Sequence, residues 1–269
     1  MAEKKGKYLR GGLGPLVYKV QGVKQIVYEK PVPGSINLSL ATLKSNDTFG
    51  MTASLGSAIR KSLTRWLSDF PEGDMPNRLA SRLIKPLKNC RDLDSMLYRF
   101  QEDSLLNLEG FEFYNQSKLS DLMMTMPLIS KNGPLLKVII PKSLIDQEFR
   151  FPPKAYQCML MVTVSLFRLG DGMMTKMADS QLVVFNRSQV YLEMQEFVFN
   201  IPQGCLCIVS TFLKYASDQK DYWISVNDKN FNPGSIIKAY ITSGLYEKND
   251  NRIWITMKQF NQFPSNPVQ

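Results

Sequence analysis

The 269-residue chain contains no histidine. That absence removes the Ser–His and Cys–His nucleophile pairs, the HExxH zinc site and the imidazole proton shuttle. Cysteine is scarce: Cys90, Cys158, Cys205 and Cys207 are the whole set, and none stand in CxxC spacing. Cys205 and Cys207 flank Leu206 on one face of an expected strand, which suits buried free thiols better than zinc. Long apolar runs are missing as well. Stretches such as Met159–Val164 fall far short of the roughly 20 residues a bilayer span needs. The charged start is not followed by the apolar core of a signal peptide. Cytosolic residence is therefore expected, although a leaderless export route leaves no mark in a sequence.

Catalytic and cofactor motifs are thin. Gly12-Leu13-Gly14 lacks the remaining glycine spacing of a dinucleotide loop and has no expected strand before it. Ser217–Lys220 and Ser235–Lys238 fit Ser-x-x-Lys without the companion motifs that give the pattern meaning. The acidic pairs Asp92/Asp94 and Glu102/Asp103 sit in no EF-hand loop and read as caps or loop carboxylates. A hydrolase working with carboxylates alone is the one catalytic class left open, and sequence places no such pair. No cofactor, metal or small-molecule substrate is implied.

What is present is a globular composition, 44% hydrophobic and 21% charged, in a chain long enough for one large domain or two ordinary ones. The net charge of +9 is sharply placed. Residues 1–100 hold 17 of the 33 Lys+Arg and 8 of the 24 Asp+Glu; residues 101–269 hold 16 of each. All the excess positive charge lies in the first hundred residues, which points to a polyanion partner: nucleic acid, an anionic membrane surface or an acidic protein. The candidate docking residues are Lys4, Lys5, Lys7, Arg10, Lys19 and Lys24, interleaved with Tyr8, Tyr18 and Tyr28, followed by Arg60, Lys61, Arg65, Arg78, Arg82, Lys85 and Lys88. Cations beside aromatics suit phosphates and stacked bases. The same alternation also describes a hairpin with tyrosines inside and lysines in water.

Patterning predicts a mainly β chain with a helical N-terminal part. Residues 1–15 read as a flexible arm, and Leu16–Val20 with Val23–Tyr28 as a β-hairpin closed by Pro31, Pro33 and Gly34. Phe49, Ala53, Gly56, Ile59, Leu63 and Leu67 recur at helical spacing, and Phe70-Pro71-Glu72-Gly73 ends that helix. Asp74 is the expected N-cap of a second helix that buries Leu79, Leu83, Ile84 and Leu87 and that Pro86 should kink or end. Beyond residue 105 come about ten short strand candidates, among them Leu106–Tyr114, Leu119–Met126, Tyr156–Phe167, Leu206–Tyr215, Tyr222–Val226 and Arg252–Gln259, without helices between them. That texture predicts an antiparallel, Ig- or fibronectin-like β-sandwich. The expected divisions are 1–104 (arm, hairpin, helices), 105–245 (sandwich) and 246–269 (C-terminal strand or extension, frayed at Pro264–Gln269).

The glycine-rich basic start, Gly22 in its hairpin, the helix near Phe49, Leu108–Phe113, Val138–Pro141, Phe151–Pro153, Ile201–Gly204, Tyr222–Val226 and Asn232–Ile237 follow one another in a distinctive order. In that order and spacing, over about residues 6–242, the chain resembles an uncharacterised family of Bacteroidota proteins, a domain of unknown function. The resemblance implies the same layout and no catalytic residue. Here Gly11-Gly12-Leu13-Gly14 replaces an aromatic-containing Gly-Gly-Phe start. The expectation is a non-enzymatic structural or interaction protein. A β-sandwich platform carries a basic N-terminal docking region for a protein partner or the chain's own copies, with nucleic acid as the alternative partner.

Overall fold

Gly6, Gly14 and Gly22 stand eight residues apart. In the computed structural model this spacing is the repeat of an antiparallel meander, β1 (Glu3–Lys5), β2 (Tyr8–Leu13), β3 (Leu16–Gln21) and β4 (Lys24–Glu29). The cross-strand partners Lys5↔Tyr8, Leu13↔Leu16 and Gln21↔Lys24 leave two residues in each turn. Gly6 and Gly14 take φ of +63° and +56° at the first turn position, a left-handed conformation open to glycine without a steric cost. Residues 2–15, as far as they are described, are thus paired strands with tight turns and not a flexible arm. Gly11 and Gly12 lie within β2, and Gly14 is in a hairpin turn.

The structure describes residues 2–21, 23–32, 40–67, 72–92, 97–217, 223–247 and 251–258. Gly22, Pro33-Gly34, the Phe70-Pro71 helix stop, Asp94, Lys220, Tyr222 and Pro264–Gln269 lie outside them, as does the side chain of Lys5. The chain divides into two compact units, Met1–Asn46 and Asp47–Gln269. The boundary drawn at 104/105 therefore falls inside the second unit.

After the meander come α1 (Leu40–Ser62), α2 (Thr64–Leu67), α3 (Met75–Cys90), a 3₁₀ turn at Leu106–Leu108, β5 (Phe111–Glu112), α4 (Leu119–Leu122), β6 (Leu128–Asn132), β7 (Leu135–Ile140), β8 (Ser143–Leu144) and α5 (Ile145–Glu148). The rest is strand: β9 (Gln157–Arg168), β10 (Met173–Thr175), β11 (Asp179–Asn186), β12 (Tyr191–Leu192), β13 (Gln195–Asn200), β14 (Leu206–Ala216), β15 (Gly234–Ile241) and β16 (Trp254–Thr256). The protein is mainly β, with several antiparallel sheets. The largest runs β16-β10-β9-β14-β15-β5 with β11 also on β9, and a three-stranded sheet runs β13-β7-β6.

β9 and β14 pair over their whole lengths, from Leu206↔Phe167 to Ala216↔Gln157. Alternate side chains serve different cores. Cys158, Leu160, Val162, Val164 and Leu166 of β9 join Leu136, Val138, Ile140, Phe197 and Phe199 of the small sheet. Met161 and Phe167 join Ile208, Phe212 and Ile236 under α1 and α3. The large sheet is thus a middle layer, sandwiched by a second sheet and covered by helices. Each fully buried Leu, Val or Phe contributes about 1.5–3 kcal/mol.

Several local expectations change. In α1 the buried face is Met51, Leu55, Ala58 and Ile59, followed by Leu63, while Phe49 and Ala53 point to solvent. Ser62 lies on the same buried side, its Oγ donating to Ile59 O (2.8 Å) and lying 2.9 Å from Ser165 Oγ of β9. Asp74 holds the expected N-cap position of α3, but its side chain makes no cap hydrogen bond and pairs instead with Arg78 one turn on. Pro86 is buried, and α3 continues past it to Cys90, with Ile84 on the exposed side. Leu119–Met126, expected as a strand, opens with the single turn α4. The Glu112 carboxylate accepts the Leu119 N–H (3.0 Å), and Leu119 and Leu122 enter the same core. Leu106–Tyr114 is a 3₁₀ turn and a two-residue strand separated by Gly110 at φ +71°. With α4 and α5, the later part is not purely strand.

Two glycines separate backbone from packing. A Cβ on Gly56 meets only Leu83 Cδ1 at 3.6 Å and Leu79 Cδ2 at 4.0 Å, whereas one on Gly234 is driven into the Phe212 ring, itself stacked on Phe113. Gly56→Ala is expected to raise unfolding stability by about 0.5–1 kcal/mol. Gly234→Ala is expected to lower it by about 1–3 kcal/mol. Urea melts of both variants measure the two signs, and equal shifts would contradict this packing.

Candidate docking surface

The meander contains no buried side chain among its described residues. Its register sorts residues onto two faces. Gly11↔Tyr18↔Val27 and Leu13↔Leu16↔Glu29 define one, which alternation fills with Leu9, Val20 and Gln25. Gly12↔Val17↔Tyr28 and Lys19↔Ile26 define the other, which also carries Tyr8, Arg10, Gln21 and Lys24. Of the cations in β2, β3 and β4, all three (Arg10, Lys19 and Lys24) share that second face, and all are exposed. Lys30 joins them: its Cε lies 3.1 Å from where a Gly12 Cβ would be. The first face is apolar apart from Gln25 and Glu29, with Lys4 opposite Leu9 at its β1 border.

Few contacts brace this unit. Gln25 bonds the Leu9 N–H and C=O across the apolar face (3.2 and 3.3 Å), and Tyr8 Oη donates to Val23 O (2.6 Å). Lys7 Nζ sits 5.3 Å from the Tyr8 ring. The two edges differ. β1 has three residues, Glu3-Lys4-Lys5, short and charged. β4 has six, and Ile26, Val27 and Tyr28 at its centre are 38%, 48% and 46% exposed. Among the described residues β4 pairs with β3 alone.

The second unit carries the remaining predicted cations, and they differ in availability. Arg78 is engaged internally by Glu72 (2.7 Å), Asp74 (3.3 Å) and the Glu112 and Phe113 carbonyls (2.8 and 3.0 Å), over the Phe111 ring. Arg60 bonds Gly56 O, Arg65 lies on Trp66, and Arg82 reaches Asn107 O at 3.5 Å. Lys61, Lys85 and Lys88 are exposed and form no ion pair among the described residues. Arg78 and Arg82 line an open cleft of about 720 Å³ together with Glu112, Asn115 and Lys118. Burial pushes the Glu112 carboxyl above the usual carboxylate range, against the pull of the Leu119 and Ser120 N–H groups. Sequence reading missed Lys30, Lys118 and the β4 edge. The eight-residue glycine spacing was the signal that fixes the strands, and hence the faces.

The thiols are poor nucleophiles. Cys158, Cys205 and Cys207 are buried, and burial pushes the Cys207 thiol up to about 12 and Cys158 well above its ordinary value. Among the described residues no three Cys, Asp or Glu side chains converge as metal ligands would. No helix among them is long and apolar enough to cross a membrane. No protein-family model, curated protein or solved structure matches the chain.

A thiol whose folded pKa is raised contributes stability that is fully present below its unfolded pKa, about 8.5, and is lost as pH rises through the folded value. The urea midpoint is therefore expected to fall steadily above about pH 8.5, with the Cys207 contribution exhausted near 12. Cys207→Ala should flatten that decline. An unchanged slope would show that the thiol does not set it.

Proposed function

We propose that the chain is a non-catalytic interaction protein in which the Asp47–Gln269 unit is a rigid platform and the N-terminal meander is the docking element. The meander pairs through β4 with β4 of another copy. The supporting observation is its asymmetry: a sheet with no buried side chain among its described residues, blunted at β1 and open along the apolar centre of β4. An exposed, long, apolar edge is a template for strand addition, and short charged edges are how proteins prevent it. The backbone aim supports this as well. The Lys30 N–H donates to Pro15 O (2.6 Å), so even-numbered positions of the β4 ladder face β3, and Gln25, Val27 and Glu29 present their peptide groups outward.

The absence of histidine and the buried thiols support the non-catalytic reading, and reduced cysteines support cytosolic residence. The motif order from Gly22 to Ile237 supports kinship with the Bacteroidota family of unknown function.

Light scattering of the full chain over a range of concentrations tests the pairing. The native chain should associate and Val27→Pro, which removes one outward N–H, should be monomeric. Val27→Thr, which keeps that N–H, should associate like the native chain. A strictly monomeric native chain at every concentration would sink the proposal.

A further inference from the structure

We infer that the cationic face of the meander binds single-stranded nucleic acid. This rests on reading the meander as a docking element, but it uses a face of the sheet and not the β4 edge. Charge sorting is the first argument. Arg10, Lys19 and Lys24 stand on one face with the Lys30 side chain laid over Gly12, and within β2, β3 and β4 the opposite face has no cation. Glu3 of β1 stands opposite Arg10 on this face, and among the described residues no carboxylate lies within ion-pair distance of any of the four. Solubility alone would be served by cations spread over both faces.

The second argument separates nucleic acid from an acidic protein. Tyr28 is 46% exposed, beside Val17 and on the same face as Lys19 and Lys24; Tyr8 lies on that face two strands away. An acidic peptide needs the cations only. A single strand offers phosphates to the cations and base faces to the flat rings, and such stacking is tolerant of sequence. Gly12 leaves the floor of the face open where a side chain would stand between Lys30 and the sheet.

The test is fluorescence anisotropy of labelled oligothymidylate and oligouridylate with the full chain at several salt concentrations. Four cations at about 0.7 released counterions each give a slope of log K on log salt near −3, or about fifty-fold weaker binding between about 50 and 200 mM salt. Arg10→Ala with Lys19→Ala should halve that slope. Tyr28→Ala should weaken binding roughly tenfold at constant slope, and Tyr28→Phe should restore it. Circular dichroism of each variant shows that the meander is still folded. Val27→Pro should bind nucleic acid undiminished even as it abolishes self-association, so the two proposals fail separately. No saturable binding, a slope indifferent to Arg10 and Lys19, or polyglutamate competing as well as oligonucleotide with Tyr28→Ala silent would each overturn the inference. The last outcome would assign the face to an acidic protein.

Discussion

Two central strands buried on both faces dictate the rest of the larger unit. β9 and β14 give alternate side chains to two cores, so neither face can meet water, and each needs its own cover. The small sheet provides one cover and α1 with α3 the other. Apolar contacts alone would let a helix slide or roll on such a sheet, because they are non-directional. Hydroxyls do not permit that. Thr163 bonds Ser210 O between β9 and β14, and Ser165 meets Ser62 of α1, so the helix side of the sheet carries directional groups in an apolar layer. Burial of Met51, Leu55 and Ile59, at about 1.5–3 kcal/mol each, turns that face of α1 inward, and the Ser62–Ser165 contact, worth about 1 kcal/mol, adds direction to it.

That constraint explains which parts of the fold were readable from sequence. Met159–Val164, apolar but for Thr163, and Leu206–Tyr215, apolar but for Ser210, Thr211 and Lys214, are buried on both faces, and both were legible as strands. The helical stripe was read correctly at Gly56, Ile59, Leu63 and Leu67 and misread at Phe49 and Ala53, which fit helical spacing as well as Met51 and Leu55 do. Phe49 and Ala53 lie away from the side on which Ser62 meets Ser165, more than a hundred residues on. Leu119 and Leu122 allow a strand or a helical turn, and the Glu112 carboxylate, seven residues earlier, accepts the Leu119 N–H at the start of the turn. Local pattern identifies an element when its own side chains decide the matter, and misses it when a partner outside the element takes part.

The basic region shows the same division. Its cations were legible by composition, but their availability was not. Arg78 counts as one more positive charge in a sum, yet two carboxylates and two carbonyls already hold it. Lys30 escaped notice outside the expected hairpin, although it completes the charged face. Gly6 and Gly14 say little one at a time; their spacing, with Gly22, turns them into a register that says which residues share a side.

The meander is the opposite of the large sheet: none of its described side chains is buried, and among the described residues β4 pairs with β3 alone. Geometry links the edge to the charged face. Two antiparallel strands can be related by a two-fold axis only if that axis is normal to the sheet, and such a rotation leaves each face on its own side. Joining two β4 edges would therefore merge two cationic faces into one surface and two apolar faces into another. Charge also selects the register. With Val27 on the axis, Lys24 opposes Lys30 of the second copy, a repulsive pair. With Ile26 on the axis, Lys24 opposes Tyr28 of the second copy, a cation beside an aromatic ring, and Ile26 packs on its own counterpart. Either register would extend the charged face, and Lys24, Tyr28 and Lys30 favour the one centred on Ile26.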